Sequence, residues 1–168
     1  TQADVIQQID LAADLGVEML CCDHSWYTGG YGSGLGNWDV DRGRFPDGLE
    51  PVAEVVQSKG MGMGLYFDSG CHGDARTLRE HPEFFFQVDS LTPKTHFLNF
   101  ASREACDYWL DLIGGYVERL DLRFIRADFG NYPMPKEGKL SWDRFDPNDK
   151  VQFDYVAGKY RVWETLLQ

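Results

Sequence analysis

The sequence predicts an α/β protein folded as a partial (β/α)8 TIM barrel, and two observations lead to this fold class. Helical and strand patterns alternate along all 168 residues, which implies parallel strands joined by right-handed crossovers. Three predicted strands end in a carboxylate, at Asp23, Asp68 and Asp128. Aspartate also favours turns, but polar groups at several strand ends are typical of a barrel mouth. A complete barrel takes about 250 residues, so we expect an incomplete one, forming a single domain over residues 1–168.

The first half of the chain predicts two helices and two strands in alternation. Residues 4–15 place apolar side chains on one helical face and stop at Gly16, a residue suited to a helix C-terminus. The apolar run 17–22 predicts a strand, which a Gly-rich loop follows. Apolar residues then recur at helical spacing over 49–59, and a second strand is expected over 61–67.

The second half predicts three more helices and three more strands. They lie at 76–81 (helix), 84–88 and 96–100 (strands), 102–120 (helix), 122–127 (strand) and around 155–167 (helix). Ser102 is the expected N-cap of the strongest helix, and the buried stripe of that helix comprises Ala105, Trp109, Leu112, Ile113, Tyr116 and Leu120. The last helix is expected to bury Tyr155, Val156, Tyr160, Trp163 and Leu167. Between the strand at 122–127 and this last helix, residues 130–150 are rich in Pro, Gly and charged side chains, which predicts a loop.

Composition and charge narrow the range of partners. Hydrophobic residues make up 43% of the chain, enough for a folded core. A net charge of −11 disfavours nucleic acid and anionic membranes, because phosphate binding depends on clustered Lys and Arg. No apolar stretch is long enough to cross a bilayer, and no signal segment opens the chain.

The four cysteines show no C-x-x-C spacing of the metal or redox type. We expect at least three of them to be small buried hydrophobic residues. This usage favours a reduced, cytoplasmic setting.

Two other kinds of site are weaker hypotheses. The segment 32–36 has the glycines of a phosphate-binding loop, but no helix N-terminus and no Lys-Ser or Lys-Thr follows it. A metal-dependent hydrolase could use the polar residues at strand ends, which are Asp23, His24, Asp68 and His72. Their spacing lacks the H-x-x-x-H and H-x-H patterns of common zinc sites, so we predict no metal and no cofactor.

Six short segments keep the order and spacing of a known family pattern. They are Asp23-His24-Ser25-Trp26, Gly36-Asn37-Trp38, Arg44-Phe45-Pro46-Asp47-Gly48-Leu49, Gly60-Met61-Gly62-Met63-Gly64-Leu65-Tyr66, His81-Pro82-Glu83-Phe84 and Arg126-Ala127-Asp128-Phe129-Gly130-Asn131. The set resembles glycoside hydrolase family 36, the α-galactosidases and their melibiase-like relatives, nearly from end to end. The resemblance implies the N-terminal part of a catalytic barrel, about strands 2–4 with their helices.

The resemblance implies a retaining glycosidase that cleaves terminal α-linked hexopyranosides, most of all α-galactosides, through a covalent glycosyl-aspartate intermediate. It gives Asp128 the role of nucleophile. Arg126 lies two residues earlier and would share its strand face, and a nearby cation keeps a nucleophilic carboxylate charged. An ordinary ion pair at a strand end is the alternative interpretation of these two residues. The acid/base is expected from a later strand, so this segment alone is expected to be inactive.

Seven further positions are expected to bind the sugar, and they are Asp23, His24, Trp26, Trp38, Tyr66, Arg126 and Asn131. Asp23 is a candidate acceptor for sugar hydroxyls, and the three aromatic rings are candidate stacking platforms. His24 either donates to a sugar hydroxyl or fills the pocket. The chain departs from the family pattern at four places: His24 replaces an Asp, Tyr66 a Trp and Arg126 a Lys, and one extra residue precedes Asn131.

The expected partner is an oligosaccharide or glycoconjugate. The altered segment around His24 keeps open a second interpretation, a non-catalytic carbohydrate-binding protein on a degenerate barrel. Exposed strand edges of an incomplete sheet could also pair with a second copy of the chain.

Overall fold

The computed structural model describes residues 1–87, 95–127, 134–136, 139–141, 145–166 and 168, which form a mixed α/β fold. The helices are α1 (Gln2–Asp14), α2 (Glu50–Ser58), α3 (Arg76–Glu80), α4 (Arg103–Leu120) and α5 (Lys150–Leu166), with a 3-10 helix at Pro82–Phe84. The strands are β1 (Met19–Cys22), β2 (Gly62–Phe67), β3 (Gly70–His72), β4 (Phe85–Gln87), β5 (Thr95–Leu98), β6 (Leu122–Ala127), β7 (Met134–Lys136) and β8 (Lys139–Ser141).

The central sheet confirms the predicted parallel alternation. Strands β1, β2 and β6 lie side by side in chain order, and both strand pairs are parallel. Met19 lies opposite Gly62 at one end, and Tyr66 lies opposite Arg126 near the other. The carboxyl ends of the three strands therefore share one edge of the sheet. Among the described strands the sheet stays open and does not close into a barrel.

Two helices, α1 and α4, begin at side-chain caps. Thr1 closes a capping box at the start of α1, and the Ser102 hydroxyl accepts a hydrogen bond from the Ala105 amide at 3.2 Å to cap α4. Two glycines with positive φ follow the first two helices, Gly16 (+76°) and Gly60 (+73°). Four of the five helices lie within two residues of their predicted bounds, and α5 begins five residues earlier.

A second, antiparallel sheet lies between β2 and β6 in the chain, with strand order β3-β5-β4. The sequence predicts two of its strands, at 84–88 and 96–100, but neither the short β3 nor the antiparallel pairing. The prediction of a loop over 130–150 is wrong at one place, because β7 and β8 pair there as antiparallel strands.

The core is built around a cluster of aromatic side chains. Neighbouring ring centroids in this cluster lie 4.9–6.4 Å apart, and its members are Trp26, Tyr27, Trp38, Phe67, Trp109 and Tyr116. The predicted stripe of α4 is confirmed, except that Leu112 is only partly buried, while Cys106 joins the buried set. Aromatic burial therefore joins α4 to the loops that follow β1.

The buried face of α5 differs from the predicted one. Tyr155 is fully buried as expected, but Tyr160 is 74% exposed, so its placement in the core is wrong. The contact face instead runs through Gly158 and Val162. A methyl group added at Gly158 would lie 1.7 Å from the Phe100 carbonyl oxygen, which shows how closely α5 approaches the chain there. Trp163 is half-buried, and Leu167 lies outside the described residues.

Three cysteines, Cys22, Cys71 and Cys106, are buried, as predicted, and Cys21 is partly exposed. Burial raises the pKa of the Cys22 and Cys71 thiols to about 12. Within the described ranges, no helix has the length and apolar character needed to cross a bilayer.

Candidate active site

The edge where the parallel strands end gathers charged and aromatic side chains. Asp23 follows β1 directly, Asp68 follows β2, and Arg126 is the second-last residue of β6. Tyr66 lies on β2 opposite Arg126. Predicted site residues that are distant in sequence are therefore neighbours at this edge.

An ion pair joins the first and third strands of the sheet. Arg126 Nη1 donates to Asp23 Oδ2 at 2.7 Å, and the two side chains are 48% and 42% exposed. The other oxygen, Oδ1, accepts a hydrogen bond from the His24 amide at 2.8 Å. Asp23 is thus a carboxylate that is fixed in place and still faces solvent. The second lone pair of Oδ2, which Arg126 does not use, can accept a hydrogen bond from a ligand hydroxyl.

The ring of His24 lies between this carboxylate and two tyrosines. The His24 Nε2 atom is 3.3 Å from Asp23 Oδ1, and its Nδ1 atom is 3.2 Å from the Tyr27 hydroxyl. The His24 ring centroid is 4.1 Å from the Tyr66 ring centroid. The neutral tautomer with its proton on Nε2 satisfies both nitrogens, since Nδ1 then accepts from Tyr27. Burial and the charges of Asp68 and Asp23 raise the pKa of Tyr27, so its hydroxyl keeps the proton that it donates.

Asp68 is buried below the edge rather than open to it. It is 2% exposed, and its carboxylate accepts from the Tyr66 hydroxyl at 3.0 Å and from the Gly70 amide at 2.8 Å. These contacts fix the Tyr66 ring and the turn into β3. No group of three or more His, Cys, Asp or Glu residues in the described part of the chain could hold a metal ion.

The predicted stacking platforms are all buried in this structure. Trp26, Trp38 and Tyr66 are at most 2% exposed, and Trp26 Nε1 donates to the Tyr66 carbonyl at 2.9 Å. Stacking against a sugar requires an exposed ring face. The described surroundings give these rings a packing role, and their contact with a sugar stays a prediction.

The remaining two predicted site residues, Asp128 and Asn131, lie outside the described residues. Their roles as nucleophile and sugar ligand therefore stay predictions.

Sequence reasoning missed two tyrosines of this edge, Tyr27 and Tyr31. Tyr27 supports His24 through its hydroxyl, and the Tyr31 ring lies edge-on to His24 with centroids 4.9 Å apart. Their positions three and seven residues after His24, in a segment with five glycines, are the only indication that the sequence offers.

Comparison with known proteins extends the match over the whole chain. Residues 1–168 match the Melibiase family. Alpha-galactosidase Mel36A of Lactobacillus acidophilus is 32% identical over 95% of this chain and 22% of its own length. Probable alpha-galactosidase C of Aspergillus oryzae is 27% identical over 98% of this chain and 23% of its own length.

Solved structures give the same match. The α-galactosidase from Lactobacillus brevis superposes with a TM-score of 0.79 at 26% identity, over 99% of this chain and 23% of its own. The GH36 α-galactosidase AgaA from Geobacillus stearothermophilus shares the fold with a TM-score of 0.78 at 22% identity, over 98% of this chain and 24% of its own. Variants of AgaA have been solved with raffinose and with stachyose. The chain spans less than a quarter of the length of these two curated relatives.

Proposed function

This chain belongs to the Melibiase family, and we propose that it supplies part of the catalytic domain of a retaining glycoside hydrolase acting on terminal α-galactosides. The observation that carries the proposal is the Asp23–Arg126 ion pair of 2.7 Å at the carboxyl edge of the sheet. It holds a solvent-facing carboxylate beside Arg126, two residues before Asp128 in the sequence.

The proposed chemistry divides the work between attack and binding. Asp128 attacks the anomeric carbon while the glycosidic C–O bond breaks and the leaving oxygen takes a proton from the acid/base carboxyl, which gives a glycosyl ester. Water, deprotonated by the same carboxyl, then hydrolyses this ester with retention of configuration. Arg126, already anchored by Asp23, adds positive charge next to the nucleophile and favours its ionised form. Asp23 accepts from sugar hydroxyls, and His24 and Asn131 complete the proposed contacts. The reaction needs no cofactor.

The proposed substrate follows from the family. The relatives are named α-galactosidases, and the AgaA neighbours were solved with raffinose and stachyose. We extend this substrate class to the present chain, so its partner is an oligosaccharide with a terminal α-galactosyl unit.

The proposed architecture is a partial (β/α)8 barrel, about strands 2–4 with their helices, over residues 1–168. Three parallel strands in chain order, and the coverage of 22–23% of the two curated relatives, support this division. The acid/base carboxyl is then expected from another part of the full-length protein. A retaining site places it about 5–5.5 Å from the nucleophile.

Replacing the nucleophile tests this proposal. Asp128→Ala in the full-length protein should lower kcat for p-nitrophenyl α-galactoside by roughly 1,000-fold or more, because the covalent intermediate can no longer form. Added azide should restore turnover and yield the β-galactosyl azide, since a small anion can attack from the vacated side.

Asp111→Ala, on the exposed face of α4, is the matched control and should keep wild-type activity. A variant at Asp128 with near-normal turnover would remove the assignment. The alternative, a carbohydrate-binding protein without activity, rests on the altered segment around His24, where the family pattern has an Asp. It predicts binding of galactosides by the wild-type protein without any hydrolysis.

A further inference from the structure

Among the described residues of the strand-end edge, Tyr31 differs from the other aromatic rings in its exposure. Trp26, Trp38 and Tyr66 are at most 2% exposed, whereas Tyr31 is 76% exposed. A single exposed aromatic side chain is common on protein surfaces. The position of Tyr31 beside the predicted ligand groups is what separates it from the others.

The backbone around Tyr31 places the ring at this edge. The three glycines nearest to Tyr31 adopt positive φ, with +84° at Gly29, +56° at Gly30 and +88° at Gly32. The Gly30 amide donates to the Tyr27 carbonyl at 3.0 Å and closes a turn. This turn brings Tyr31 back over the end of β1, where its ring and the His24 ring lie edge-to-face, with centroids 4.9 Å apart and an angle of 70° between the ring planes.

The chemistry of the neighbours fits a sugar. Asp23 and Arg126 are half-exposed and can accept from and donate to hydroxyl groups. A pyranose also has an apolar C–H face, which binds to flat aromatic rings that remain accessible. Tyr31 is the described ring at this edge that combines such a face with contact to the Asp23–His24 pair.

We propose that Tyr31 is a ligand-contacting residue that stacks on the galactosyl ring held by Asp23. The inference rests on the proposed function for the identity of the sugar. It replaces the three buried rings by an exposed one as the aromatic platform, and it gives the Gly-rich segment 29–36 a role in substrate binding.

Calorimetric titration of the full-length protein with D-galactose tests the inference. Tyr31→Ala should raise the Kd for galactose by about 3- to 10-fold, the range of a lost aromatic contact. Tyr31→Leu should show the same loss, because it keeps apolar volume without a flat face, while Tyr31→Phe should bind like the wild type. Melting temperatures should not change, since the ring is exposed.

Tyr160→Ala is the matched control, because Tyr160 is 74% exposed on α5, and it should leave the Kd unchanged. The inference is overturned if Tyr31→Ala binds galactose as Tyr160→Ala does, or if the wild-type protein does not bind galactose. Hydrolysis of p-nitrophenyl α-galactoside is measured separately. Binding that depends on Tyr31 without hydrolysis would contradict the proposed activity but support the stacking contact.

Discussion

At the scale of single residues, Trp38 has a backbone conformation that bulky side chains rarely adopt. Its φ is +49°, in the left-handed region that costs a non-glycine residue about 1 kcal/mol or more. The Tyr116 hydroxyl donates to the Trp38 carbonyl at 2.6 Å, and the Trp26 ring stacks on the indole at 6.0 Å. We predict that Tyr116→Phe lowers the free energy of unfolding by about 1–2 kcal/mol, because a buried carbonyl loses its donor.

Urea unfolding of both the variant and a control measures this effect. Tyr108→Phe is the control, since its hydroxyl makes a longer, partly buried contact of 3.4 Å to Thr77, and a loss below about 0.5 kcal/mol is expected. Equal losses in the two variants would show that the Tyr116 hydroxyl does not hold the Trp38 loop.

The sequence predicts the residues of the edge better than their accessibility. Aspartates at strand ends are visible in the pattern, and Asp23 does lie beside Arg126. The burial of Trp26 and Trp38 is not visible, because it depends on a loop that folds back over the sheet and on Tyr116 of a distant helix. Motif spacing alone cannot separate a ring that faces a ligand from one that faces the core.

At the scale of elements, a glycine sets the distance between α5 and the rest of the molecule. Gly158→Ala would place a methyl group 1.7 Å from the Phe100 carbonyl oxygen. Although Ala is the better helix former, we predict a loss of about 1–3 kcal/mol in the free energy of unfolding, because the helix must move outward. Thermal and urea unfolding of this variant measure the loss.

Gly115→Ala on α4 provides the matched comparison, since a methyl group there meets nothing within 4 Å. It should stabilise the protein by about 0.5–1 kcal/mol through helix propensity. If Gly158→Ala were stabilising to the same degree, the close packing of α5 would be disproved.

This glycine also explains why helical periodicity predicts the wrong buried face for α5. Helical periodicity counts large apolar side chains, and it placed Tyr160 in the core, whereas the contact runs through Tyr155, Gly158 and Val162. Caps such as Ser102 are local, so the sequence predicts the bounds of α4 correctly. Three-residue strands such as β3 depend on a distant partner and leave little local pattern.

At the scale of the whole molecule, buried thiols should make stability depend on pH. Burial raises the pKa of Cys22 and Cys71 from 9.0 to about 12. Because the folded state has the higher pKa, the stabilisation is fully present below pH 9 and is lost as the pH rises towards 12. At pH 10 each of these two thiols should lower the free energy of unfolding by about 1.4 kcal/mol relative to neutral pH, since it ionises only in the unfolded chain.

Urea unfolding at pH 7.5 and pH 10 can isolate one of these contributions. The decrease in the free energy of unfolding between the two pH values should be about 1.4 kcal/mol smaller in Cys22→Ala than in the wild type. Buried tyrosines, whose pKa is raised as well, contribute equally to both proteins and cancel. If the free energy of unfolding depends on pH identically in Cys22→Ala and in the wild type, the Cys22 thiol titrates normally in the folded protein.

The adjacency of β1, β2 and β6 in chain order has a consequence for loop-closure entropy. Two connections join these strands, 23–61 and 68–121. The second is longer because it contains the whole antiparallel sheet. Closure entropy grows only with the logarithm of length, so this added segment costs about 0.3 kcal/mol more than the shorter connection. The parallel sheet can therefore keep the same strands while its connections become longer. A longer connection can bring new side chains to the strand ends with almost no added cost in loop-closure entropy.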